Sequence, residues 1–91
     1  MGDAAELPGG DLVEQGLRDL RAGVESAEAL LVSIGTTRLR ATGLDVPSPL
    51  PDPDIRLYEL LAAEDQDSAH GRYNALVRRL VSYERAAECA S

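Results

Sequence analysis

Two stripes of apolar residues recur along this chain at alternating intervals of four and three. The first is Val13, Leu17, Leu20, Val24, Ala27, Leu31 and Ile34; the second is Ala69, Tyr73, Leu76, Leu80, Tyr83, Ala87 and Ala90. That rhythm is close to one α-helical turn, so each stripe lines one helix face and is satisfied by another helix packed beside it. Between the stripes lies LDVPSPLPDP, residues 44–53, with prolines at 47, 49, 51 and 53. Proline fixes φ, removes an amide donor and drives the preceding residue to extended backbone. The segment therefore reads as a semi-rigid, polyproline-like connector. A PxxP ligand is not what this spacing spells. The pattern predicts an all-α fold.

Local signals set the expected boundaries. Asp11 is a candidate N-cap with Glu14 at the third helical position, a variant of the capping box. Arg38 and Arg40 followed by Gly43 give cations in the last turns and then a glycine stop. A first helix over 11–42 follows, about 48 Å long, with Gly35-Thr36-Thr37 as its weakest point. Pro53 at the first helical position starts a short helix over 54–63, densely apolar at Ile55, Leu57, Tyr58, Leu60 and Leu61. A third helix covers 67–89. Residues 1–10 are expected to be a flexible N-terminus and 11–91 a single helical domain: a long hairpin plus a short helix.

Composition bears on how such a hairpin is stabilised. The 91 residues include no Phe and no Trp, and Tyr58, Tyr73 and Tyr83 are the only aromatics. Small side chains bury little area each, at roughly 25 cal/mol per Å², and small scaffolds gain stability by associating. The expected assembly is a homodimer whose two hairpins make a four-helix bundle. Gly16 and Gly23 lie seven residues apart beside the first stripe, where each suits close approach of another backbone.

The net charge is −7, from nine arginines and no lysine against sixteen acids. That balance argues against nucleic acid as a partner for the chain as a whole and against an anionic membrane surface. No apolar run is longer than four residues, as at Ala29–Val32, far short of the about 20 residues a spanning helix needs. The opening MGDAAELPGGD has neither a basic nor an apolar signal region, and Glu6 stands where a myristoylation motif wants Ser or Thr. A single cysteine, Cys89, fits a reducing compartment. The expected location is cytoplasmic.

Three clusters are candidates for chemistry. EDQDSAH, residues 64–70, holds the only histidine. Glu64, Asp67 and His70 suggest a metal site, but imidazole-bearing sites want three or four protein ligands and no second His or Cys lies near. The better reading is a helix start, with Asp67 or Ser68 as cap. Glu25-x-x-Glu28 and Glu64-x-x-Asp67 resemble the ExxE and ExxD pairs that hold magnesium in all-α nucleotide pyrophosphohydrolases of the MazG type. The resemblance covers eight residues, and the interval between the pairs is longer than in that family and contains the proline connector. It implies Mg²⁺-dependent hydrolysis at Glu25, Glu28, Glu64 and Asp67, whose oxygens suit that ion. Helical hairpins of the HEPN type also dimerise, but their Arg-x4–6-His ribonuclease motif is absent: no arginine stands four to seven positions before His70.

The third cluster is an arginine strip, Arg72, Arg78, Arg79 and Arg85. It reads as a solvated face paired with acids of the first helix, or as a docking strip for an acidic partner or phosphate. No GxSxG, phosphate-binding glycine loop or HExxH is present. The reading this supports is a non-enzymatic, dimeric protein–protein interaction or regulatory module that needs no cofactor. A Mg²⁺-dependent hydrolase and nucleic-acid or phosphate binding by the arginines are the alternatives.

Overall fold

A computed structural model describes residues 7–90, Ala90 through its backbone alone. The described residues form five α-helices and no strand: α1 (Gly10–Ala22), α2 (Ala27–Ile34), α3 (Thr36–Ala41), α4 (Pro53–Glu64) and α5 (Ala69–Ala90). The all-α expectation is met. The single helix over 11–42 is not: it is three helices, and the chain reverses within it.

The reversal follows from Gly23. This residue is left-handed (φ 75) just past α1, a conformation that costs a glycine little. Its N–H donates to Leu20 O at 3.1 Å and that of Val24 to Asp19 O at 2.8 Å, the paired bonds of a Schellman stop. Ser26 then caps α2. Its Oγ accepts from the Ala29 N–H at 3.1 Å and donates to Asp19 Oδ2, stapling the turn to the helix it has just left. Val24, expected in the stripe, sits at this corner and is 49% exposed. The two halves of the first stripe thus face each other, instead of jointly facing a second chain.

Gly16 shows how closely α1 and α2 approach. A β-carbon there would lie 2.4 Å from Glu28 O and 2.4 Å from Val32 Cγ2, so only glycine fits. At the α2–α3 junction, a β-carbon on Gly35 would meet Glu84 Oε2 at 2.8 Å and both Leu80 methyls at 3.1 Å. The weak point in the sequence is therefore also where α5 presses in. α3 ends on a second Schellman stop, with Gly43 at φ 97 and Leu44 N–H donating to Leu39 O at 3.3 Å.

The connector is held down along its length. Arg40 donates to Val46 O at 3.0 Å, Arg21 to Asp45 O at 3.4 Å, and the Leu50 N–H to Ser33 Oγ at 3.0 Å. Val46 is buried. Pro53 is the first residue of α4, as expected. α5 begins after a turn at 66–68, with the Arg72 N–H donating to Ser68 O at 2.9 Å, close to the expected start.

The N-terminal side departs from expectation. Residues 1–6 of the expected flexible segment lie outside the described residues. Leu7 packs against the core, Gly10 is buried at the start of α1, and Gly9 rather than Asp11 is the cap residue, left-handed at φ 75. Neither half of the expected capping box caps: Asp11 pairs with Arg79 at 3.0 Å and Glu14 with Arg18.

α1 packs on α2, α2 on α4, α4 on α5, and α5 returns to α1. Four helices therefore enclose one core within a single chain. Val13, Leu17, Leu30, Leu31, Val32, Leu39, Leu57, Leu61, Leu80 and Tyr83 fill it. The aromatic-poor composition is accommodated by this wrapping, in which leucine and valine from every helix converge.

Candidate interaction surface

Each expected site residue can now be placed. Glu25, at the α1–α2 corner, is ion-paired with Arg56 of α4. Glu28 lies in the first turn of α2, with its backbone carbonyl against Gly16. Glu64 ends α4 and pairs with Arg72 at 2.9 Å. Asp67 is exposed in the turn, its N–H donating to Asp65 Oδ1 at 3.2 Å. The two carboxylate pairs occupy separate places, and two of the four oxygens-bearing side chains already hold arginines. Among the described residues no group of three or more His, Cys, Asp or Glu is arranged to hold a metal ion. His70 shares a 3.2 Å hydrogen bond with Asn74 on its own helix. The EDQDSAH segment spans the end of α4, the turn at 66–68 and the first residues of α5, and Ser68 Oγ donates to Asp65 O at 3.4 Å within that turn.

The arginine strip divides in two. Arg72 holds Glu64 of α4, and Arg79 holds Asp11 of α1, so one arginine of the strip pairs with the first helix as expected. Arg78 and Arg85 are exposed and meet no carboxylate or carbonyl among the described residues. The other arginines are all engaged: Arg18 with Glu14, Arg56 with Glu25, Arg38 with Glu84 and Glu88, and Arg21 and Arg40 with connector carbonyls. No helix among the described residues is long and apolar enough to cross a membrane.

The apolar surface is uneven. The large hydrophobic residues most exposed among those described are Val24, Ile55 at 60% and Tyr58 at 40%. Ile55 and Tyr58 are one turn apart on α4, hence on one face. Tyr58 tilts onto Tyr73 of α5, ring centroids 5.8 Å apart and planes at 57°. This is an ordinary aromatic pairing geometry, and it carries the half-covered surface from α4 onto α5.

One charged group escaped the sequence reading. Glu84 of α5 is only 2% exposed, lodged against Gly35. Arg38 of α3 reaches it at 3.2 Å and Glu88 at 2.7 Å. Burial raises the Glu84 carboxyl above its ordinary range, Arg38 pulls it back, and Glu88 adds to the rise. Arg38 itself is held more firmly protonated by its hydrogen bond to Glu88 and by Glu84. The available signal was position: Glu84 stands four residues after Leu80 and three before Ala87, on the apolar face.

A pH dependence follows. The folded chain retains the Glu84 proton over a window in which the unfolded chain has lost it, so stability from this group is present at low pH. It is lost as pH rises from the ordinary carboxylate range through the raised folded value. Glu84→Gln removes this term. The stability of the variant minus that of the native chain, measured by urea denaturation, is expected to increase across that window and then level off. A difference independent of pH would show that Glu84 titrates normally.

Compared with known proteins, the chain matches no family model, no curated protein and no solved structure.

Proposed function

We propose that this protein is a non-enzymatic α-helical interaction module that works as a homodimer, with α4 and α5 of each chain forming a four-helix contact between them. The observation carrying this is the pair Ile55 and Tyr58, exposed side by side on α4 in a chain whose remaining leucines and valines largely close on one core. Exposed apolar groups clustered on one face mark contact surfaces more reliably than scattered ones. The dispersed carboxylates and their arginine partners favour this reading over magnesium-dependent hydrolysis, and the engagement of Arg72 and Arg79 weakens nucleic-acid binding by a continuous strip. A reducing, cytoplasmic setting accords with the lone Cys89.

Light scattering on the full chain across micromolar concentrations is expected to give the dimer mass. Ile55→Asp and Tyr58→Asp are expected to give monomers with unchanged helical circular dichroism, because both side chains are exposed in the single chain. A monomer mass for the native protein would overturn the proposal.

A further inference from the structure

We infer that Arg78 and Arg85 of one chain bind Asp52 and Glu59 of a second copy, laying α4 of each chain along α5 of the other. This rests on the dimer proposed above and names the contacts that set its register. Arg78 and Arg85 are exposed, unengaged among the described residues and seven apart, which is about 10.5 Å along a helix. The exposed residues between and beside them on α5, Ala75, Ser82 and Cys89, recur at the same interval and are small, leaving room for a helix to approach.

The complementary pattern is on α4. Asp52 and Glu59 are also seven apart and exposed, and no cation meets either among the described residues. Asp52 is the cap residue of α4, left-handed at φ 45, yet its side chain makes no capping hydrogen bond. Its carboxylate is thus free for a partner. Ile55 lies between the two acids. An acid–apolar–acid stripe faces an arginine–small–arginine stripe of equal period.

The symmetry fits. A two-fold contact joins the same patch to itself, so that patch must carry both halves of each pairing. From the ionisable residues of each helix, α4 has net charge −2 (Asp54, Glu59, Glu64 against Arg56) and α5 net +2 (Arg72, Arg78, Arg79, Arg85 against Glu84, Glu88). Setting α4 on α5 of the other chain offsets the repulsion expected between two chains of charge −7.

Charge reversal tests this by sedimentation equilibrium. Arg78→Glu/Arg85→Glu and Asp52→Arg/Glu59→Arg are each expected to weaken self-association by about tenfold or more, since like charges then oppose at the contact. Mixing the two variants is expected to restore native-strength dimers, because every opposed pair is then complementary. A native dimer that both variants leave unchanged, or a mixture that fails to recover, would overturn these contacts while leaving the dimer itself standing. A native monomer would instead overturn the dimer.

Discussion

Gly16→Val is expected to destabilise the fold by about 3 kcal/mol or more, the upper range for overpacking a closed interior. The β-carbon alone would lie 2.4 Å from the Glu28 carbonyl oxygen, which belongs to the α2 backbone and cannot swing aside like a side-chain tip. α1 must therefore tilt off α2, opening the core to which Val13 and Leu17 of α1 and Leu31 and Val32 of α2 all belong. For a domain of this size the corresponding fall in melting temperature is roughly 12 °C or more. Gly71→Ala is the control. That glycine has nothing within 4 Å of its added carbon, so the better helix propensity of alanine should stabilise by up to about 1 kcal/mol. Equal, small effects from the two substitutions would mean that α1 and α2 do not meet at Gly16.

Gly16 also shows what a sequence pattern can and cannot carry. The apolar spacing identified the helix faces correctly at Val13, Leu17, Leu31, Leu80 and Tyr83, all buried. Continuity was where it misled. The turn from Gly23 to Ser26 occupies about one helical turn of sequence, so the four–three rhythm runs through it undisturbed and a reversal looks like a straight helix. The evidence for the turn lay in residue chemistry instead: a glycine able to adopt positive φ, followed three residues later by a serine able to cap. Gly35 and Gly43 were legible for the same reason, as a weak point and a stop. Misreading the turn moved the destination of the first stripe from a second chain to the same chain.

The candidate surface was legible in part. The arginines of α5 were identified as a group, but spacing could not reveal which had counter-ions, because Asp11 and Glu64 reach Arg79 and Arg72 through tertiary packing. Glu84 was hidden by its charge: carboxylates are seldom buried unless paired, and its partner Arg38 is brought to it only by the break at Gly35. Asp52 stands just before Pro53, where a helix cap belongs, yet its carboxylate caps nothing. For the arginines and Glu84 the missing information was a contact made by tertiary packing.

Leu80→Asp is expected to unfold the chain. Leu80 is 3% exposed and lies against Gly35, whose missing side chain is what admits it. Truncating a buried leucine alone costs about 2–5 kcal/mol, a large share of the roughly 5–14 kcal/mol available to a domain of this length. Aspartate adds a charge without a free cation to meet it: Arg38 is already shared between Glu84 and Glu88, and burying an unpaired carboxylate carries a heavy penalty. Glu84 stands one turn away on the same face, so the new charge would sit beside a carboxyl that burial already disfavours. Lowering pH is expected to restore more of the fold in Leu80→Asp, where both groups take up protons, than in Leu80→Ala, where Glu84 alone contributes. Circular dichroism of the two variants from neutral pH to the carboxylate range distinguishes the cases. A native-like melting temperature for Leu80→Asp would mean that α5 does not turn this face to the core, and would undo the placement of Arg78 and Arg85 on the outer one.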